Sequence, residues 1–346
     1  MRFLITIVLL AAVAAAGFAA WQIYVPVKPA GQQFVMLRPG YSTRRIAYEL
    51  KKAGVIRSQL AFRAWHIIRP KPKLKAGEYL FVREATLPQV YGRIAAGDIY
   101  FHEVTIPEGF TMFDIAKAME DAGLCPAADF LHIAETKTDL ISDIAPHATS
   151  LEGYLFPNTY QFTRTQSLEE MAGMMVRQFR QVAHEIGLIA PGSNGNGSNG
   201  NGSNGNGSSF DLPKIVTMAS IVEKETAAPE ERPRVASVYY NRLAHGMALD
   251  ADPSVIYAEQ LTGTYQGSLH HADLAVNSPY NTYRFPGLPP GPIANPGRSA
   301  LEAAFHPNDT KFLYFVSDGN GHHRFATTLE EHDRNVTAYR RALGLH

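Results

Sequence analysis

The sequence predicts an α+β protein that begins with a membrane-spanning helix, and three observations lead to this fold class. The first is a long uncharged stretch at the N-terminus, and the second is a strand-turn-helix pattern that occurs twice before residue 125. The third is a C-terminal half in which helices, turn-rich loops and a final hairpin follow one another. With 346 residues, of which 45% are apolar and 18% charged, the chain is long enough for two or three domains.

The uncharged stretch "FLITIVLLAAVAAAGFAAWQIYV" covers residues 3 to 25 and is long enough, as a helix, to cross a bilayer. Trp21 and Tyr24 suit the far membrane interface, and Arg2 with the amino terminus favours export of the rest of the chain. We therefore expect a transmembrane anchor at residues 1–26. The alternative is a secretory signal that is cleaved after a small-residue site ending at Ala19.

Two segments between the anchor and residue 125 resemble each other, "VMLRPGYSTRRIAYELKKAGVI" from Val35 and "VTIPEGFTMFDIAKAMEDAGLC" from Val104. Each reads as a short strand, a Gly turn, a Ser or Thr cap and a helix that stops at Gly. The predicted caps are Ser42 and Thr111, and the predicted stops are Gly54 and Gly123. These segments predict two small related α/β modules, the first of which continues into a strand containing Tyr79 and Phe81.

A compositional boundary follows at residues 191–209, "PGSNGNGSNGNGSNGNGSS", which contain no apolar side chain. Such a segment cannot bury enough surface to offset the entropy of ordering it, so it is interpreted as a flexible insertion. Beyond it, a helix is predicted from Asp211, the cap, through Pro213 in the first turn, with Ile215 and Met218 on one face.

Further elements are predicted downstream of this helix. A second helix begins near Pro233, "HGMALDADPSVIY" reads as a loop, and "RSALEAAF" reads as a helix. Two strands around an Asp-Gly-Asn-Gly turn and a polar helix complete the chain.

The stretch "SIVEKET" places Glu223 and Glu225 at the end of the predicted helix, where helical spacing turns them to opposite flanks. Glu225 falls beside Ile221 and Val222, and apolar neighbours raise the pKa of a carboxyl group toward neutrality. Glu225 is therefore the better candidate for an acid. The alternative is that both glutamates are solvated members of a charged last turn.

The loop at residues 277–297 is rich in Pro and Gly and carries Tyr280, Asn281, Tyr283 and Arg284. Such a loop is suited to line a groove for a polar, ring-shaped substrate, or else it simply wraps the domain. Asp252, in "LDADPSV", is a candidate second carboxylate or an ordinary turn residue.

Charge and cysteine content exclude several classes of protein. Lys plus Arg equals Asp plus Glu at 32 each, so we expect no nucleic-acid partner. The single cysteine, Cys125, cannot form an intramolecular disulfide or a multi-cysteine zinc site. The pairs His270-His271 and His322-His323 are interpreted as surface or turn residues without metal ligands nearby.

Several long motifs in fixed order resemble the endolytic murein transglycosylase family, also called MltG or YceG-like. They are "LEGYLFPNTY", "ASIVEKET", "VASVYYNRL", "LDADPSVIY", "SPYNTYRFPGLPPGPIANPG" and "LYFVSDGNGHHRF". The resemblance implies an α+β catalytic domain at residues 104–346, with the Asn/Gly/Ser insertion inside it, behind a LysM-like α/β subdomain at residues 30–103. It also implies single-pass insertion in the bacterial inner membrane, with the catalytic part in the periplasm.

For the site, the resemblance implies that Glu225 is the catalytic acid and base, cleaving the MurNAc-GlcNAc bond within nascent peptidoglycan strands and leaving 1,6-anhydro-MurNAc ends. It implies substrate-binding roles for five residues: Glu152, Glu223, Asp252, Tyr280 and Asn281. Neither a metal nor an organic cofactor is expected, and the expected partners are glycan strands, the membrane and peptidoglycan synthases. The chain departs from the family pattern at Asn158, where Asp is common, and in its unusual insertion.

Two other functions remain open on sequence grounds. A hydrolytic muramidase would use the same acid with a positioned water and a second carboxylate, for which Asp252 is the first candidate. A peptidoglycan-binding scaffold without catalysis would not need Glu225 at all.

Overall fold

The computed structural model describes residues 1–69, 72–189, 201–203 and 209–344. The predicted mixture of helices and strands is confirmed. The helices are α1 Arg2–Tyr24, α2 Thr43–Lys52, α3 Gln59–Ile68, α4 Leu87–Ala96, α5 Met112–Asp121, α6 Ala127–Thr136, α7 Leu168–Glu185, α8 Leu212–Glu225, α9 Arg232–Ala244, α10 Asp252–Thr262, α11 Arg298–Phe305 and α12 Leu329–Ala342. The strands are β1 Gln33–Leu37, β2 Gly77–Phe81, β3 His102–Ile106, β4 Asn158–Phe162, β5 Asn201–Ser203, β6 Ser209–Asp211, β7 Tyr314–Ser317 and β8 His323–Ala326.

These strands pair into two-stranded sheets, namely β1 with β2, β3 with β4, β5 with β6 and β7 with β8. The chain divides into two compact units. Unit 1 contains Met1–Glu103 and Gln161–Ser167, and unit 2 contains Val104–Tyr160 and Leu168–His346.

In unit 1, β1 and β2 form an antiparallel pair in which Val35 lies opposite Tyr79, and α2 and α3 lie between them in the chain. The inward side chains of both strands are buried, with Tyr79 0% and Phe81 1% exposed. They share one core with residues of α2, α3 and α4. The order of elements is therefore strand, helix, helix, strand, followed by α4.

Both predicted strand-turn-helix segments are present, and their boundaries have the predicted causes. The side chain of Ser42 accepts a hydrogen bond from the Arg45 amide at the start of α2, and Thr111 caps α5 in the same way. Gly54 and Gly123 follow the two helices with φ +69° in each case, a left-handed conformation that suits glycine.

Helix α1 comprises 23 residues, none of which is buried against the rest of the protein. Its mean hydropathy over an 18-residue window is 2.5, and it is long and apolar enough to cross a membrane. By length and composition, it is the one such helix in the described part of the chain.

Unit 2 is organised around α8. Asp211 caps this helix by accepting from the Lys214 amide at 3.5 Å, as predicted. The sequence predicts a single apolar face, but every residue from Ile215 to Val222 is buried. The reason is that α9, α10 and α11 all pack against α8, so its small residues are covered as well.

Two other sequence predictions are affected by the structure. Most of the insertion predicted to be flexible, residues 191–200 and 204–208, lies outside the described residues, and β5 and β6 form a short antiparallel pair at its C-terminal side. The loop predicted at residues 245–257 is shorter than expected, because α10 begins at Asp252 with Pro253 in its first turn.

The C-terminal hairpin and polar helix are confirmed. Strands β7 and β8 are antiparallel with Phe315 opposite Phe325, and the Asp318 carboxylate accepts from the amides of Asn320 and His322 in the turn. His323 is not the surface residue that was predicted, since it donates its backbone amide to the buried Glu231 at 3.1 Å and its Nδ1 lies 2.7 Å from that carboxylate.

Candidate active site

Glu225 is the last residue of α8, and its carboxyl group is held by a buried tyrosine. Its Oε1 accepts a hydrogen bond from the Tyr239 hydroxyl at 2.7 Å. Tyr239 belongs to α9 and is 2% exposed, and its ring packs edge-on against Phe315 of β7 with centroids 5.8 Å apart. Helix α9 and the C-terminal hairpin together therefore fix the orientation of the Glu225 carboxyl group.

The pKa of Glu225 is raised from its ordinary value to about 7. Burial is the largest cause and the negative charge of Asp252 adds to it, whereas the Tyr239 hydrogen bond and the positive charge of Arg242 oppose the shift. A carboxyl group with a pKa near neutrality can donate a proton in its acid form and accept one in its ionised form.

Asp252 is an exposed residue in the first turn of α10, and it contacts Tyr283. The Tyr283 hydroxyl donates to Oδ1 of Asp252 at 2.6 Å. Burial raises the pKa of Tyr283, and the negative charges of Asp252, Asp250 and Glu225 raise it further. The tertiary structure thus places Glu225, Asp252 and Tyr283 close enough together for the charge of one group to shift the pKa of another.

Arg242 orders the loop that leads into α10. Its guanidinium donates to the carbonyl oxygens of Ala248 and Leu249 and to Oδ2 of Asp250, at 3.0–3.1 Å. Asp250 has a left-handed backbone with φ 51°, which is costly for a residue other than glycine and is held by these contacts. The same guanidinium also brings positive charge near Glu225.

Glu223 lies on the other flank of α8 and has a different environment. Its Oε1 accepts from Arg232 at 2.7 Å and its Oε2 accepts from the Gly297 amide at 2.9 Å. Both side chains of the ion pair are buried, with 4% of Glu223 and 6% of Arg232 exposed. Burial raises the pKa of Glu223, against the opposing effects of Gly297 and Arg232. Glu223 thus links α8 to the N-termini of α9 and α11.

Glu152 is 2% exposed and belongs to a second buried group. Its two oxygens accept from the Met112 amide at 3.1 and 2.9 Å, and Oε1 also accepts from Asn295 Nδ2 at 2.7 Å. Burial raises its pKa to about 8, although hydrogen bonds from Met112 and Tyr257 lower it. These contacts join α5, α10 and the loop before α11.

The other two predicted substrate-binding residues lie in the loop before Pro286. Asn281 is fully buried, and its amide donates to the carbonyl oxygens of Leu274 and Val276 while its oxygen accepts from the Tyr283 amide. Its contacts therefore shape the loop that carries Tyr283. Tyr280 is partly exposed, and its ring lies against Tyr257 with centroids 5.1 Å apart.

A cavity of about 450 Å³ is present in unit 2. Glu152 and Tyr280 line it together with Thr217 of α8 and the Pro-rich segment 288–292, whereas Glu225 and Asp252 do not. The six predicted site residues therefore fall into a group around Glu225 with Asp252, a group around Glu152 with Tyr280, and two structural positions at Glu223 and Asn281.

Sequence reasoning missed Tyr239, which donates a hydrogen bond to the Glu225 carboxyl group, and Arg242, whose positive charge lowers its pKa. The sequence does contain a signal for both residues. One face of α9 carries, at helical spacing, Val235, Val238, Tyr239 and Arg242, and a polar group on such a face needs a buried partner.

Asn158, the departure from the family pattern, is exposed at the start of β4 and accepts from the Thr159 amide at 2.7 Å. In the described ranges, no group of three or more His, Cys, Asp or Glu side chains is arranged to hold a metal ion.

Comparison with protein families gives a match over most of the chain. A family model described as the YceG-like family covers residues 35–338. A similar solved structure is the crystal structure of a yceG-like protein from Listeria monocytogenes, with a TM-score of 0.54 and 30% sequence identity. This similarity covers 88% of the present chain and 98% of the other.

Curated relatives carry a functional name. A protein of Bacillus subtilis (strain 168), named endolytic murein transglycosylase, is 32% identical over 315 residues, which cover 87% of this chain and 82% of that protein. A protein of Streptococcus pneumoniae serotype 2 with the same name is 28% identical over 367 residues. The alignment covers 96% of this chain but 64% of the streptococcal protein, so the chain spans less than two thirds of that relative.

Proposed function

Because this chain belongs to the YceG-like family, we propose that it is an endolytic murein transglycosylase that cuts glycan strands of peptidoglycan internally. The enzyme class is that of the lytic transglycosylases, in agreement with the names of its curated relatives. The observation that carries the proposal is the Glu225 carboxyl group, oriented by Tyr239 and raised in pKa to about 7.

In the first step, protonated Glu225 donates its proton to the oxygen of the MurNAc-GlcNAc glycosidic bond. The bond between that oxygen and C1 of the muramic acid breaks, and the oxygen leaves as a hydroxyl group on the next sugar. A pKa of about 7 suits this step, because a substantial fraction of the carboxyl group is protonated at neutral pH.

In the second step, ionised Glu225 takes the proton from the C6 hydroxyl of the same muramic acid, and O6 bonds to C1. The product is a 1,6-anhydro-MurNAc end, and Glu225 is protonated again for the next cycle. Since the nucleophile is already part of the substrate, proximity replaces the activated water of a hydrolase. One essential carboxyl group is sufficient for this reaction.

The remaining site residues are proposed to divide between contact and support. Asp252 and Tyr280 have exposed surface and are proposed to bind the glycan directly. Glu152, Glu223 and Asn281 have their polar atoms engaged inside the protein, and we propose that they act on substrate binding by holding the loops that form the groove.

Anchoring and location follow the same proposal. Helix α1 is proposed to cross the bacterial inner membrane once and to keep the catalytic unit in the periplasm, near nascent strands and the peptidoglycan synthases that make them. Unit 1 is proposed to be LysM-like, which its strand-helix-helix-strand order and antiparallel β1–β2 pair support.

The test is a digest of purified, uncrosslinked glycan strands by the detergent-solubilised full chain, read by mass spectrometry. Glu225→Gln keeps the shape of the side chain but cannot transfer a proton, and we expect its activity to fall about 10²–10⁴-fold. Glu230→Gln is the matched control, since the Glu230 side chain is 62% exposed.

Internal fragments with anhydro-muramic acid ends, made by the wild type and Glu230→Gln but not by Glu225→Gln, support the proposal. Ordinary reducing ends, formed by addition of water across the bond, would instead identify a hydrolytic muramidase. This second candidate is favoured by the carboxylate of Asp252, whose charge acts on Glu225. Intact strands from a protein that binds glycan would identify a binding scaffold.

A further inference from the structure

Helix α3 of unit 1 is apolar on the face that it turns away from the core. Phe62 and Trp65 point inward and are 0% and 9% exposed. The opposite face carries Leu60, Ile67 and Ile68, which are 73%, 73% and 78% exposed. A short helix that is apolar on both faces is a candidate for contact with a second apolar phase on its outer side.

The exposed residues form one continuous stripe. Leu60, Ala64, Ile67 and Ile68 recur at spacings of four, three and one along a ten-residue helix, and all four are exposed. Arg63 is the one charged residue of this helix and lies at the edge of the stripe. The spacing makes the outer face a single apolar surface rather than a set of scattered side chains.

Helix α3 is tied directly to the end of the predicted anchor. Arg57, just before α3, donates to the carbonyl oxygens of Val25 and Pro26, in the latter case at 2.8 Å. Its guanidinium also lies over the Trp21 ring at 4.8 Å. Tyr24 packs edge-on against Trp65 of α3 with ring centroids 6.0 Å apart. These contacts hold α3 beside the point where α1 would leave the bilayer.

The chain segment that contains α3 carries charge of a single sign. Between Glu49 and Glu78 the sequence contains no Asp or Glu, but it contains the basic residues Lys51, Lys52, Arg57, Arg63, Arg69, Lys71, Lys73 and Lys75. Arg63, Arg69 and Lys73 are exposed, and the Arg69 guanidinium lies over the Trp65 ring at 4.6 Å. An apolar stripe with basic residues around it is typical of a helix that lies in a membrane interface.

We propose that α3 lies on the bilayer beside the anchor, with Leu60, Ile67 and Ile68 among the upper acyl chains and the surrounding Arg and Lys side chains on anionic phospholipid headgroups. Long basic side chains reach the headgroups while their stems cover apolar surface. This inference rests on the membrane anchoring given under the proposed function. Contact through α3 gives unit 1 a second attachment to the bilayer besides α1, which restricts rotation of the protein about the axis of α1.

The test measures the depth of individual side chains in nanodiscs that contain phosphatidylglycerol and one full-length chain each. In a Cys125→Ala background, the variants Leu60→Cys, Ile67→Cys and Ile68→Cys are labelled with an NBD fluorophore and quenched by doxyl lipids. Tyr48→Cys is the matched control, because Tyr48 is also an exposed apolar residue of unit 1, at 44% exposure. We expect quenching at the three α3 positions to be about threefold stronger than at Tyr48, as for a face about 5–10 Å inside the headgroup boundary.

A label at Val13→Cys reports the anchor in the same discs. If Val13 is strongly quenched but the α3 labels are quenched no more than the Tyr48 label, the inference is overturned and the anchor stands. If Val13 is not quenched, the anchor itself is overturned. If the α3 labels are shielded from solvent only in discs that hold two chains, the stripe contacts a second copy of the chain and not the bilayer. The double variant Arg63→Gln/Lys73→Gln should show weaker quenching at the α3 labels, because headgroup charge holds the helix. The same decrease is expected in discs without anionic lipid.

Discussion

At the scale of single residues, the pKa of Glu225 is set by burial and by neighbouring groups with opposite effects. Burial and Asp252 raise it, and Tyr239 and Arg242 lower it. Glu223, two residues away, has a raised pKa as well, but its two oxygens are engaged by Arg232 and Gly297. The two glutamates therefore differ in their partners, since Glu223 accepts from an arginine and a backbone amide, whereas Glu225, the proposed acid, accepts from the Tyr239 hydroxyl.

Removing the Tyr239 hydroxyl should raise the pKa of Glu225, since that hydrogen bond stabilises the ionised carboxylate. Glu225 must be protonated to act as an acid, so the alkaline limb of the pH profile of kcat/KM should move to higher pH in Tyr239→Phe. Loss of orientation should lower kcat about tenfold. Tyr240→Phe is the control, because the Tyr240 hydroxyl donates to the Ala304 carbonyl instead. An unshifted limb in Tyr239→Phe would contradict this assignment.

Asp252→Asn should have the opposite effect on the same limb. Its negative charge raises the pKa of Glu225, so neutralising it should lower that pKa and move the alkaline limb of kcat/KM to lower pH. The isosteric amide can still accept from Tyr283, so the loop should be kept. If Asp252 also binds the glycan, KM rises in addition. A limb that moves to higher pH would disprove the electrostatic role.

At the scale of elements, the site depends on α8 being packed closely on all sides. The turn at residues 151–155 lies against α8 and the Pro-rich segment, and Gly153 is where they meet, with φ +87°. A Cβ atom there would lie 2.4 Å from Pro292 Cγ and 2.9 Å from Val216 Cγ1. Glycine at this position is therefore required both by the backbone conformation and by the close approach.

Gly153→Ala should destabilise unit 2 by about 2–5 kcal/mol, as the sum of a left-handed backbone and an overpacked contact. Gly123→Ala is the matched control, because Gly123 also has a left-handed backbone, with φ +69°, but nothing lies within 4 Å of its added Cβ. The control should lose about 1–2 kcal/mol in denaturant unfolding. Equal losses in the two variants would mean that the contact with Pro292 and Val216 is unimportant.

At the scale of the whole molecule, the burial that raises the pKa of Glu225, the proposed acid, should cost stability. An acid with a raised pKa binds a proton in the folded state that it has lost in the unfolded state, between its ordinary pKa and about 7. Its contribution to stability is therefore greatest at acid pH and falls as the pH rises toward 7.

Glu225→Gln removes this titration and should make the protein more stable than the wild type by about 1–3 kcal/mol at pH 8, with little difference at pH 4. Urea unfolding of the full chain in detergent at both pH values measures this. The exposed Glu230→Gln variant should show no such pH-dependent gain. A Glu225→Gln variant that is less stable than the wild type at pH 8 would contradict the raised pKa.

The sequence by itself determined the features that depend on neighbours in the chain. The long apolar N-terminal helix, the caps at Ser42 and Thr111, the start of α8 at Asp211 and the C-terminal hairpin all follow from local composition, periodicity and capping, and the structure has each of them. The choice of Glu225 over Glu223 also came from helical spacing, and it stays a prediction for experiment.

Only the tertiary structure decided which groups surround Glu225. Tyr239, Arg242, Asp252 and Tyr283 come from α9, α10 and a distant loop, and their approach depends on how these elements pack on α8. The burial of Asn281 and the exposure of the outer face of α3 were likewise invisible in the sequence. Burial and pKa are sums over contacts between segments far apart in the chain, and a local pattern contains no information about those contacts.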